Sequence, residues 1–230
     1  VELAELYPEL KGMRLRGRLE GRKVVPYYSR ADIDSGKAAF SGKVLAWVED
    51  PVELFFLQIQ GSGRVRLPDG SFLRVGYADQ NGYPYKAIGK VLLARGELPA
   101  SKVSMQSIQG WARDNPDKLQ DLLNSNPSYV FFRELPASND GPPGAQGLPL
   151  TAGGSIAVDP KFLPLGTPVL LASSMPASAT PLNRLVLAQD TGGAIRGPLR
   201  ADFFWGFGAE AGKQAGAMKQ SGRMWALWPV

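Results

Sequence analysis

Short apolar runs cut by glycine, proline and small polar residues fill the first third of the chain: VVPYY, AAFSGKVLAWV, and VELFFLQIQGSG at residues 52–63. Runs of this length between turn residues predict strands. In the last of them Phe55, Leu57 and Ile59 alternate with Phe56, Gln58 and Gln60, which predicts one apolar face and one that turns polar. On that reading the amides of Gln58 and Gln60 project together from a strand end, just before Ser62. The period then changes. Residues 87–95 carry Ile88, Val91 and Leu92 on one helical stripe, and Gly96 is placed to end it. Asn115 followed by Pro116 predicts an N-cap and first-turn proline for a helix with Leu119, Leu122 and Leu123 turned inward. Asn126-Pro127 closes that helix, and SYVFFREL returns to strand.

Residues 136–149, PASNDGPPGAQGLP, have the Pro, Gly and small polar content of a linker or domain crossing. Beyond them LTAGGSIAVDP, TPVLLAS, RLVLAQD and ADFFWG predict short strands, followed by a helix over residues 209–220 and a last strand in MWALWPV. Gly208, Gly212 and Gly216 recur at four-residue spacing, which predicts close packing of that helix on a neighbour. Asp159-Pro160 reads as a turn.

Composition narrows the chemistry more than the fold. The 230 residues contain no His and no Cys, which excludes a Ser-His-Asp triad, a Cys nucleophile, a His/Cys zinc site and disulfides. Acid-base work falls to Asp, Glu, Lys or Tyr, and neither a cofactor nor a metal is expected. Lysine and arginine number 26 against 21 acidic residues, a net charge of +5 that suits an anionic partner. The basic residues are spread along the chain outside KGMRLRGRLEGRK, and no aromatic-basic RNA-binding signature occurs, so nucleic acid is not expected as a partner. No apolar window approaches membrane-spanning length.

Two carboxylates stand out in LVLAQDTGGAIRGPLRADFFWG at residues 185–206: Asp190 and Asp202. On a strand, Asp202 shares a face with Phe204, and burial beside the ring is expected to make it an acid near neutral pH. Asp190 in Asp-Thr-Gly-Gly also reads as a strand-ending turn residue. An aspartic-protease pair needs two such motifs or a dimer, and DTG occurs once. Carboxylates with aromatics and amides are also what glycosidic cleavage uses. GYADQNGYPYKAIG at residues 76–89 brings Tyr77, Gln80, Asn81, Tyr83, Tyr85 and Lys86 together as candidate sugar contacts, or as a loop whose tyrosines pack inward.

These stretches, with FFLQIQGSGRV, SMQSIQGW, NPSYVFF, GPPGAQGLPLTAGGSIAVDP, PLGTPV, LAQDTGGAIRG and ADFFWG, resemble the membrane-bound lytic murein transglycosylase A family over about residues 52–228. The resemblance implies a mainly β fold with a few short helices: a double-psi β-barrel, residues 139–230, and an inserted β-barrel, residues 1–138, with a glycan groove between them. It implies cleavage of the β-1,4 bond between N-acetylmuramic acid and N-acetylglucosamine in peptidoglycan, leaving 1,6-anhydromuramic acid ends. Asp202 matches the family's catalytic acid/base and Asp190 supports it, with Gln58, Gln60, Ser62, Tyr77, Gln80, Asn81, Tyr83, Tyr85, Lys86 and Phe204 expected to contact substrate. The expected partners are peptidoglycan glycan strands and proteins of wall synthesis or degradation. The expected location is the bacterial periplasm at the outer membrane, with a membrane anchor outside this sequence. A T-G-Y-Y-E-P-like stretch and the N-terminal part of the barrel are likewise expected to lie outside it, and Gly154 stands where the family often has arginine. A non-catalytic peptidoglycan-binding module and a hydrolysing glycosidase are the alternatives.

Overall fold

The computed structural model describes residues 6–8, 16–38, 42–100, 103–193 and 195–228. Two compact units result, one from Val1–Ser62 with Tyr77–Glu134 and one from Gly63–Gly76 with Leu135–Val230. The architecture is strand-rich, and its helices are short.

In the first unit a hairpin of β1 (Gly17–Glu20) and β2 (Lys23–Pro26) leads into α1 (Arg30–Asp34). A reciprocal capping box starts α1: the Ser29 hydroxyl accepts from the Asp32 amide, and the Asp32 carboxylate accepts from the Ser29 amide. Residues 43–48, expected as part of a strand, form neither strand nor helix. The alternating run after them is not a strand but the helix α2 (Pro51–Gln60). The Asp50 carboxylate caps its Val52 and Glu53 amides, Pro51 occupies the first turn, and Gly61 ends it in the left-handed region at φ 76°. Helical spacing then buries Val52, Phe55 and Gln58 on one side, while Ile59 is left exposed. The cap signals outweigh the period-two pattern because end groups satisfied by Asp50 and Gly61 favour the helix wherever its apolar side finds a core.

After β3 (Ser62–Arg66) and β4 (Phe72–Gln80) come α3 (Ile88–Ala94), α4 (Met105–Asp114), α5 (Pro116–Asn124) and β5 (Val130–Glu134). The stripe read over 87–95 is α3, and Pro116 does open α5. Asn115 makes no capping bond there, however; its amide donates to the Trp111 carbonyl at 3.0 Å instead. Val52, Phe55, Ile88, Leu92, Ile108, Trp111, Leu122 and Leu123 from the four helices α2 to α5 form one core.

The second unit is built on a five-stranded mixed sheet. Its strands are β6 (Ser155–Val158), β7 (Pro168–Ser174), β8 (Pro181–Asp190), β9 (Ala201–Phe203) and β10 (Arg223–Ala226), in the order β10-β7-β8-β6-β9. β6 and β8 run parallel; the other neighbours are antiparallel. Ile156, Val158, Val169, Leu171, Val186 and Ala188 make the core on one face, with Ala201 and Phe203 against it. The helix α6 (Gly208–Ala217) has no buried residue, and nothing lies within 4 Å of a β-carbon built on Gly208 or Gly212. The close packing expected at Gly208 and Gly212 is therefore not seen among the described residues.

Candidate active site

β6 forms the centre of the site. Its Ala157 is the register partner of Asp190 on the parallel strand β8 and of Asp202 on the antiparallel strand β9. The two carboxylates therefore flank one small residue in a single row, with two strand spacings of about 4.8 Å setting their α-carbons ~10 Å apart. Ile156, Val158, Ala201 and Phe203 hold the opposite, core face. Asp202 thus reaches the outer face by plain alternation.

Asp190 does not. Alternation from Val186 and Ala188 would send it into the core, but the register shifts: Ile156 pairs with Ala188 and Ala157 with Asp190, with Gln189 as the extra residue. A bulge of this kind re-aims a side chain. Gln189 stays buried, accepting from the Ser155 hydroxyl at 2.6 Å. The Asp190 carboxylate accepts from the Ala145 amide at 3.0 Å. Gly144 permits that approach, since a β-carbon there would lie 2.5 Å from the Gln189 carbonyl oxygen. Burial pushes the Asp190 carboxyl above its ordinary value, partly offset by the Thr191 and Ala145 amides. Residues 136–149 are thus more than a tether, because their backbone supplies a donor to the site.

The expected burial of Asp202 beside Phe204 is not observed. Its side chain is 47% exposed and takes two bonds from Arg200, Nε to Oδ1 at 2.9 Å and Nη2 to Oδ2 at 3.1 Å. Phe204 is half-buried and packs edge-on against Phe207 at 5.7 Å. Arg200 was missed in the sequence, although its i, i+2 spacing from Asp202 is what puts two strand side chains on one face. The bond to Asp202 holds the Arg200 guanidinium above its ordinary value.

The remaining candidates lie in the first unit, and several serve the fold. Gln58 is buried, accepting from Arg30 and donating to the Val130 carbonyl at 3.1 Å; Gln60 is exposed on the last turn of α2, so the two amides do not project together. Asn81 is 2% exposed, and its amide donates to the Tyr28 and Pro127 carbonyls while its oxygen accepts from the Tyr129 amide. A side chain so engaged has no bond left for a ligand. Ser62 and Tyr83 are half-buried, and the Lys86 backbone amide donates to Asn126. Tyr77 hydrogen-bonds Asp79, and Arg16 bridges both at 3.3 and 2.6 Å. Tyr77, Tyr85, Gln60 and Lys86 remain exposed, and Gln80 is half-buried. Among the described residues no group of three or more acidic, His or Cys side chains could hold a metal ion, and no helix is long and apolar enough to cross a membrane.

Residues 1–133 match the family model described as the MltA specific insert domain, and residues 154–228 match the 3D domain. The chain belongs to the membrane-bound lytic murein transglycosylase A family. The Escherichia coli protein of that name is 38% identical over 229 residues, 96% of this chain and 59% of the relative, so the chain spans well under two thirds of it. A crystal structure of MltA from Neisseria gonorrhoeae is 47% identical with a TM-score of 0.84, over 93% of this chain and 55% of that one. The crystal structure of E. coli MltA with bound chitohexaose is 34% identical with a TM-score of 0.75, over 92% of this chain and 67% of that one.

Proposed function

We propose that this chain works as a peptidoglycan lytic transglycosylase, with residues 139–230 carrying the chemistry and residues 1–138 binding glycan. The observation that carries the reading is the Asp190–Ala157–Asp202 row in a member of this family. Asp202 acts as the single acid/base on the bond between N-acetylmuramic acid and N-acetylglucosamine. It protonates the glycosidic oxygen as the C1–O bond breaks, then takes the proton of the muramic acid C6 hydroxyl as that oxygen bonds to C1. The product is a 1,6-anhydro end, the proton returns to Asp202, and no water is consumed. Asp190 lends its charge to the oxocarbenium-like transition state. Arg200 holds the Asp202 carboxylate while no glycan is bound; as glycan enters it turns aside, and Asp202 takes up from solvent the proton that it then donates to the leaving oxygen.

A glycan ligand is supported by the relative with bound chitohexaose, and the net charge of +5 suits a polymer bearing lactyl and peptide carboxylates. The bacterial envelope is the location that the relatives' membrane-bound name supports, with the periplasm as the compartment of work.

One observation favours a second assignment: burial raises the Asp190 carboxyl, which would suit it as the proton donor. Digestion of purified sacculi with mass spectrometry decides. Anhydromuropeptides are expected from the unsubstituted chain and none from Asp202→Asn, while Asp190→Asn slows the reaction by about 10²-fold, the scale of one lost electrostatic contact. Full loss in Asp190→Asn with turnover retained in Asp202→Asn reverses the roles. Reducing ends in place of anhydro ends mean hydrolysis, and binding of sacculi without products means a binding module.

A further inference from the structure

A third carboxylate stands just past the end of β6, the strand between the two that carry Asp190 and Asp202. Asp159 follows β6 directly, two residues beyond Ala157, and is 3% exposed. Among the described residues its oxygens take backbone donors: Oδ2 accepts from the Gly197 amide at 2.9 Å and Oδ1 from the Lys161 amide at 3.2 Å. Gly197 lies in the middle of the loop joining Asp190 at the end of β8 to Asp202 on β9, three residues before Arg200. At φ 92° it occupies a conformation that side chains rarely adopt. A bare turn needs no buried carboxylate reaching 38 residues along the chain to hold the next loop but one.

We propose that Asp159 is a positioning residue for the reaction, clamping Gly197 to the end of β6 so that Asp202 and Arg200 keep their place opposite Asp190. The inference rests on the assignment of Asp190 and Asp202 made above. Two links in one short circuit support it: β6 pairs directly with both aspartate-bearing strands, and Asp159 ties the same strand to the connection between them. β9 itself pairs over three residues with β6 alone, and the backbone bonds of Phe204 with Gly153 and Ser155 hold its far end, so the Asp159–Gly197 bond secures the side by which the loop enters it. The Gly197 amide first, then the Lys161 amide and the charges of Arg196 and Lys161, hold the Asp159 carboxyl below its ordinary value against the effect of desolvation. The carboxylate is thus kept ionised, the form that accepts two donors at once.

The test compares Asp159→Ala and Asp159→Asn in the full chain by turnover on sacculi, thermal melting and hydrogen exchange at the Gly197 amide. Asp159→Ala is expected to lower kcat by about 10²-fold, the cost of misplacing a reacting group by roughly an ångström, with KM little changed. Asp159→Asn keeps one oxygen for Gly197 and should recover about tenfold of that loss, half of it on a logarithmic scale. Exchange at Gly197 should accelerate in Asp159→Ala more than in Asp159→Asn. Wild-type kcat in Asp159→Ala, or slow Gly197 exchange in that variant, overturns the clamp; so does a kcat loss that simply follows the fall in melting temperature in both variants. If the unsubstituted chain forms no anhydromuropeptides, the transglycosylase reading fails alone, and the clamp is still judged by Gly197 exchange and by the NMR shifts of the Arg200 and Asp202 amides.

Discussion

Replacing Asn81 by alanine removes a side chain that ties together backbone groups of Tyr28, Pro127 and Tyr129, with a longer bond from the Tyr83 amide at 3.4 Å. Its amide nitrogen donates to the carbonyls of Tyr28 at 2.9 Å and Pro127 at 2.8 Å, and its oxygen accepts from the Tyr129 amide at 2.9 Å. At 2% exposure, water does not take over these bonds without opening the structure. Each bond contributes about 1 kcal/mol net, and a buried group left unpaired costs about 1–3 kcal/mol, so the loss should be about 3–5 kcal/mol. Against a total stability of about 5–15 kcal/mol this is a large fraction. Urea unfolding followed by circular dichroism should show the midpoint falling by about 2 M, taking a slope of about 2 kcal/mol/M. Asn81→Asp should fare no better, because a carboxylate cannot donate to the two carbonyls. For material still folded, KM for glycan should stay near its original value. A stability loss under about 1 kcal/mol together with a raised KM would refute the reasoning and return Asn81 to the role of a substrate ligand.

Gly144→Ala places a methyl group 2.5 Å from the Gln189 carbonyl oxygen and 2.6 Å from Leu150. It should displace the Ala145 amide from Asp190 and lower turnover on sacculi about tenfold or more, whereas Gly147→Ala, with nothing within 4 Å of the added carbon, should cost stability but little turnover. The Asp32 carboxyl is held at about 2, against an ordinary 3.8, by the Ser29 hydroxyl first, then Lys37 and the Ser29 amide. Because the folded value is depressed, its stabilisation is present above pH 3.8 and is lost as pH falls through about 2. Acid titration of Asp32→Asn should therefore lack that part of the wild-type decline and start from a lower stability near neutral pH. Trp111→Phe keeps the core ring but loses the 2.7 Å bond from its indole nitrogen to Glu97, and urea unfolding should register a loss of about 2 kcal/mol, as for a bond to a charged acceptor.

The sequence by itself determined most of the second unit. Strands β6 to β10 announce themselves because one face of each packs on a core, so Val169, Leu171 and Val186 repeat at strand period whatever lies on the other side. Parity alone also put Asp202 on the face away from Phe203. Helices α3 and α5 were legible for the same reason, through Ile88, Leu92, Leu122 and Leu123. The segment 52–60 was misread because Phe55, Leu57 and Ile59 satisfy a strand period while Val52 and Phe55 satisfy a helical one, and only the core packed by α3 to α5 decides between them. Candidate ligands such as Gln58 and Asn81 were amides of the right chemistry in exposed-looking company; what buries them is Arg30, Tyr28 and Pro127, remote in sequence. The site depended on tertiary structure most of all. Asp190 shares the register partner Ala157 with Asp202 only because β8 slips by one residue against β6, and that bulge arises from pairing with another strand, a long-range register that no local pattern within RLVLAQD records.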